Sequence, residues 1–195
     1  MVADAVPGNG YILRAQIDMA ETVTPAAILT LLSTPPPRAS VEGWLASAHP
    51  SPDTARSEWG SAARLALIPL GSLFEAVRLP EQIVHCAAGS DESSVLSERL
   101  AQHLGGGPVI HAPAFRRYYA LVPPGTAQAW LAPVAECLGE GTYLGVPRAD
   151  RTERDERRQT SYWMVPMVRP GRLCRPGDVL ALVMQGDSAT DEDES

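Results

Sequence analysis

The sequence predicts an α+β fold: a mixed or antiparallel sheet of about five to six short strands with helices packed on one face, preceded by a helical or irregular N-terminal segment. Three observations lead to it. Short runs rich in β-formers end at proline: Leu65-Ala66-Leu67-Ile68 before Pro69, Tyr118-Tyr119-Ala120-Leu121-Val122 before Pro123-Pro124, Thr142-Tyr143-Leu144-Gly145-Val146 before Pro147, and Tyr162-Trp163-Met164-Val165 before Pro166. Aromatic and β-branched side chains pack well on a pleated surface, while proline cannot donate to a strand ladder, so each run is a strand with a set exit. Between the first two runs lies a stretch of helical period, with Val95, Leu96, Leu100 and Leu104 along one face. The order of elements (strands, two helices, strands, helix, strands, helix) lacks the regular alternation of a parallel sheet.

Residues 1–10 are rich in Gly, Pro and Ala and are expected to be loose. Tyr11 to Ala20 suits a helix or a strand. Thr24-Pro25 then offers a hydroxyl N-cap followed by proline at the first helical position, and Pro35-Pro36-Pro37 ends the helix so begun. The Pro- and Ser-rich stretch that follows is expected to be a linker or wrapping arm, with Trp44 as its anchor. The chain thus divides into a helical segment and linker at 1–58, a compact α+β domain at 59–186, and an acidic tail at 187–195.

Inside the domain, Leu65 to Leu70 is a strand and Leu73 to Leu79 a second strand or an extended bridge. Helices at Pro80 to Ala88 and Asp91 to Leu104 follow, the latter stopped by Gly105-Gly106-Gly107. Pro108 to His111 and Arg116 to Val122 are strands, and Gly125 to Leu131 a helix. Val134 to Leu138 and Thr142 to Val146 are expected to pair as a hairpin about Gly139-Glu140-Gly141. A loop from Arg148 to Ser161 leads to the strand Tyr162 to Met167, and a last helix runs from Pro176 to Met184.

Composition excludes more than it assigns. At 195 residues with 45% hydrophobic content, the chain can bury a proper core. It has no apolar run of the roughly 18 residues that a membrane-spanning helix needs, and a cytoplasmic location without membrane partners is expected. All 16 basic residues are arginine, which GC-rich coding explains without selection for guanidinium chemistry. Of the 23 acidic residues, Asp187, Asp191, Glu192, Asp193 and Glu194 form a tail expected to be disordered, leaving 18 against 16 arginines. A nearly neutral body shows no global nucleic-acid footprint, so a nucleic-acid partner is not supported by charge. Cys86, Cys137 and Cys174 are too widely spaced for a Cys-x-x-Cys site and are expected to be reduced thiols.

The motifs that carry chemistry are sparse. Gly105-Gly106-Gly107-Pro108 follows a helix and precedes a strand, the reverse of a phosphate loop. There is no Gly-x-Ser-x-Gly, His-Glu-x-x-His or Walker motif and no Cys/His spacing of a zinc site, so neither a metal nor a cofactor is expected. Two candidate sites remain. In the loop, Arg148, Arg151, Arg154, Arg157 and Arg158 stand against Asp150, Glu153, Asp155 and Glu156, either as a solvated segment or as forked donors for a phosphate or an acidic partner. His111 at a strand end, with Tyr118, Tyr119 and Glu136, forms an alternative acid–base pocket. The pairs Tyr118-Tyr119 and Tyr162-Trp163 suit base stacking on an open sheet, or core packing on a covered one.

The blocks Ile68-Pro69-Leu70-Gly71-Ser72-Leu73-Phe74-Glu75, Arg117 to Pro124 and Gly141 to Pro147 resemble those of a family of small actinobacterial proteins with no assigned activity. More distantly, the layout from about residue 60 to 186 resembles the N-terminal module of bifunctional primase/polymerase proteins. That resemblance implies the fold but not the activity, because the strand that would hold an Asp-x-Asp pair reads Phe74-Glu75-Ala76-Val77-Arg78. The expectation is a non-enzymatic cytoplasmic accessory or regulatory protein whose partner is a protein. The alternatives are a catalytically degenerate primase/polymerase-like module acting with nucleic acid, and a small-molecule enzyme built around His111.

Overall fold

The proline-stopped runs become strands of two antiparallel sheets. The computed structural model describes residues 38–155 and 157–193, all within one compact unit, Pro36–Ser195. The strands are β1 (Leu65–Pro69), β2 (Glu75–Pro80), β3 (Val109–Ala112), β4 (Arg117–Val122), β5 (Glu136–Leu138), β6 (Tyr143–Pro147) and β7 (Tyr162–Val165). A central sheet has the order β5-β2-β4-β3-β7, and β1 with β6 makes a separate ribbon. The fold is α+β, as expected; the loose start, the Tyr11 to Ala20 element and the Thr24 helix lie outside the described residues.

Strand alternation gives the central sheet two apolar faces. Val77, Leu79, Tyr118, Ala120 and Val122 point to one side, where α3 (Glu81–Ala88), α4 (Ser93–His103) and α6 (Pro176–Asp193) cover them with Val84, Leu96, Leu100, Val179 and Val183. Ala76, Ile110, Leu121 and Trp163 point to the other, where they meet Ile68, Leu144 and Val146 of the ribbon. Each large apolar side chain so enclosed contributes roughly 1.5–3 kcal/mol.

The second core takes in the stretch expected to be a linker. Residues 38–60 form α1 (Arg38–Ser47) and α2 (Pro52–Gly60), so the compact unit begins near Pro36 instead of Trp59. Val41, Leu45 and Ala48 line the inner side of α1 and its exit, while Pro52 opens α2 just after Ser51. Trp59 is fully buried and donates its indole N–H to the Val146 carbonyl at 2.9 Å. Trp44 docks as the anchor expected of it, its ring 5.8 Å from that of Phe74. The helical spacing of Val41, Leu45 and Ala48 was present in the sequence, masked by the surrounding prolines.

The expected hairpin does not form. β5 pairs with β2 (Ala76 with Leu138, Arg78 with Glu136), whereas β6 pairs with β1 (Leu65 with Pro147, Ile68 with Leu144). The chain passes between sheets at Gly139, where a Cβ would stand 2.9 Å from that of Ala127 and 3.1 Å from a Glu75 oxygen. Close approach to the Glu75 carboxylate holds the crossing point against β2, and the Thr142 N–H turn onto Gly139 sends β6 towards β1.

The last helix also departs from expectation. It continues through Asp187 and Asp191 to Asp193, where the run of acids predicts disorder. Packing outweighs charge there: Leu182, Val183 and Gly186 are buried, the last directly on α3.

Candidate functional site

The arginine-bearing loop between β6 and β7 is pinned at its start to Trp163 of β7. Trp163 N–H donates to the Arg151 carbonyl at 2.8 Å, and the buried Trp163 indole N–H points at the carbonyls of Pro147 and Arg148, 3.2 and 3.1 Å away. Within the loop the Asp155 carboxylate accepts the N–H groups of Arg157 and Arg158 at 3.1 and 3.3 Å, which closes a turn. Arg151 donates to the Thr160 hydroxyl, and Arg148 N–H to the Arg64 carbonyl at 3.2 Å.

Together these segments wall an open cleft of about 880 Å3, lined by Ala62, Arg64, Asp150 to Asp155, Arg157 and Arg158. Its carboxylates are largely engaged. Asp150 takes both forks of Arg148, whose hydrogen bond and charge hold its carboxyl below the usual range against the opposing effect of burial. Asp155 serves the turn and lies 3.8 Å from Arg151. Among the described residues Arg64, Arg154, Arg157 and Arg158 make no ion pair, and all four are exposed. The cleft is therefore a concave, open surface on which several guanidinium forks make no ion pair among the described residues.

The residues of the alternative pocket divide between the faces of the central sheet. Tyr119 pairs with Arg78 and Ile110 on the ribbon side, and Glu136 is exposed in an ion pair with Arg78. His111 and Tyr118 point to the opposite side, stacked with ring centroids 4.1 Å apart and planes 5° from parallel. Strand alternation forces this separation, since Tyr118 and Tyr119 are neighbours on β4. The four do not share a pocket.

Around His111 and Tyr118 the tertiary structure assembles other groups. The β3–β7 register sets Tyr162 beside His111, and its hydroxyl lies 3.1 Å from His111 Nδ1 and 3.3 Å from the Ser93 hydroxyl. His111 Nε2 faces Glu81 at 3.4 Å without an aligned hydrogen bond, while Arg116 donates to Glu81 at 2.8 Å. His85 reaches the Tyr118 hydroxyl at 3.2 Å. Burial pushes the His111 imidazole down to about 4, with the nearby Arg154 and His85 charges adding to it and Glu81 opposing. Tyr118 is pushed up, first by burial and then by Tyr162 and Glu81. At neutral pH the imidazole is uncharged. No spacing announces Glu81, thirty residues before His111, so only the strand register reveals the cluster.

The low His111 pKa has a measurable consequence. Between about pH 6.5 and pH 4 the unfolded chain holds a proton that the folded one refuses, so stability falls as pH drops through that window. From pH 7 to pH 5 this group is expected to remove about 2 kcal/mol of unfolding free energy in urea titrations. In His111→Asn that part of the decline should vanish; an unchanged slope would locate the effect elsewhere.

The remaining polar candidates are engaged. Glu75 is buried and accepts the Gly125 and Ala127 N–H groups at 3.0 and 2.7 Å, which fastens α5 (Thr126–Ala129) to the sheet. Burial pushes the Cys137 and Cys174 thiols up to about 12, far from the reactive thiolate range. Tyr118, Tyr162 and Trp163 are buried, so none offers a stacking face. Among the described residues no helix is long and apolar enough to cross a membrane, and no three His, Cys, Asp or Glu groups are placed to share a metal ion. No protein-family model, curated protein or solved structure matches the chain.

Proposed function

We propose that the protein works by binding, as an accessory factor that takes an anionic group of its partner into the arginine cleft. The observation that carries this reading is the set of guanidinium groups around a preformed concavity, those of Arg64, Arg154, Arg157 and Arg158, that make no ion pair among the described residues. Arginine forks match phosphate and carboxylate oxygens in pairs, and such charge-assisted hydrogen bonds contribute about 1.5–3 kcal/mol each. The anchoring of the loop by Trp163 limits the ordering cost of binding.

A nucleic-acid role, or descent from a primase/polymerase module, gains no separate support. Of the aromatic pairs of the sheet, Tyr118, Tyr162 and Trp163 are buried in the cores and Tyr119 packs half-buried against one of them, and the Glu75 carboxylate is taken up by backbone N–H groups.

Titration of the full chain with a panel of polyanions, including inorganic tripolyphosphate and oligoglutamate, tests the reading. Binding that weakens with ionic strength is expected, and Arg154→Glu with Arg157→Glu should weaken it by about tenfold or more. Both side chains are exposed, so the double variant should keep its unfolding midpoint. Failure of every polyanion to bind at low salt would overturn the proposal.

A further inference from the structure

Resting on that reading of the cleft, we infer that its ligand is an oligophosphate gripped through phosphoryl oxygens alone, with no contact to a base or other attached group. The lining offers a base no aromatic face. Among the described residues it consists of arginines, acids, Thr152 and the small apolar side chain of Ala62, with no aromatic ring. The nearest aromatic anchors of this loop, Tyr162 and Trp163, are 3% and 1% exposed and face the cores. Stacking on an aromatic contributes about 1–3 kcal/mol per base, so a site for nucleotides or single strands forgoes much of its affinity when it lacks one.

Charge density separates phosphate from carboxylate. Arg151, Arg154, Arg157 and Arg158 fall within eight consecutive residues of one short loop, and Arg64 joins them across the cleft. Carboxylates on the same side of an extended peptide lie about 7 Å apart, whereas successive phosphoryl groups share a bridging oxygen and present their charges more closely. Glu153 adds a selective element. With Asp150 and Asp155 engaged by Arg148 and by the turn, it is the lining acid left over among the described residues, and it repels a lone monoanion while a ligand of three or more charges still gains from the arginines.

Calorimetric titration of the intact chain with tripolyphosphate, ATP, oligothymidylate and oligoglutamate, in magnesium-free buffer at one ionic strength, tests this inference. Tripolyphosphate and ATP are expected to bind within about threefold of each other, with oligothymidylate of equal charge no tighter and oligoglutamate weaker by about tenfold or more. Arg154→Ala with Arg157→Ala should reduce tripolyphosphate and ATP affinity by the same factor, because the same groups hold both. ATP or oligothymidylate binding more than about tenfold tighter than tripolyphosphate would show that a base is read and would overturn the inference. Oligoglutamate binding tightest would overturn it in favour of an acidic protein surface while leaving the cleft as the contact site. Absence of binding by all four would remove the cleft reading itself.

Discussion

Trp163→Ala is expected to lower the unfolding free energy by about 3–5 kcal/mol and to abolish polyanion binding in the arginine cleft. The side chain is among the largest that are fully buried, packed on the ribbon side of the central sheet with Ile110, Leu121 and Val146. Truncation removes its transfer free energy and leaves a cavity between two β-layers that cannot collapse freely. It also leaves the Pro147 and Arg148 carbonyls, 3.2 and 3.1 Å from the indole nitrogen, without that donor. Those carbonyls begin the loop, so the cleft loses its anchor together with the core. Trp163→Phe separates the two effects, since it keeps most of the apolar volume but removes the donor. About 1–2 kcal/mol should be lost in urea unfolding, with a larger proportional loss of binding. Binding retained in Trp163→Phe would show that the indole N–H has no special hold on the loop.

Gly186→Ala is expected to destabilise by about 3 kcal/mol, against the usual direction for a helix. In a solvated helix this change gains about 1 kcal/mol from backbone entropy. Here the new Cβ would overlap the Ile83 carbonyl oxygen, with the carbonyl carbon and Cγ2 of Ile83 also at 2.9 Å. The obstruction is helix backbone, which cannot turn aside as a side chain would. α6 must lift from α3, opening the packing of Leu182 and Val183 against the sheet-covering core. Gly177→Ala in the same helix is the control: its Cβ meets nothing within 4 Å, and a change within about 0.5 kcal/mol is expected in thermal or urea unfolding. If the two alanine variants behave alike, the close helix contact is not what holds α6 in place.

Much of the fold was legible because strand and helix signals are local. Proline after each apolar run marked the exits of β1, β4, β6 and β7 within a residue or two, and the spacing of Leu96, Leu100 and Leu104 marked α4. Local signals failed where a neighbour supplied the reason. Prolines around α1 and α2 suggested a linker, yet Leu45, Ala55 and Trp59 bury against the ribbon. The acids after Met184 suggested a tail, yet contact with Ile83 carries the helix on. The glycines after β5 suggested a hairpin, although they serve a crossing between sheets.

The candidate sites divide in the same way. The arginine loop was visible as composition, because clustered charge with no apolar partner must face water. That Asp150 and Asp155 are engaged while several arginines make no ion pair among the described residues depends on Asp155 closing a turn and Asp150 meeting Arg148, which require the folded backbone. Chain order placed His111 with Tyr118 and Tyr119; the pleat kept the first and turned the second away, then brought in Glu81, Tyr162 and Ser93 from three other elements. Proline positions and hydrophobic period thus suffice to say that this chain makes short antiparallel strands and amphipathic helices, because those preferences act over a few residues. Which strands pair, which face each residue takes and which charges are left unpaired are set by contacts between residues far apart in sequence, and these exist only once both cores have closed.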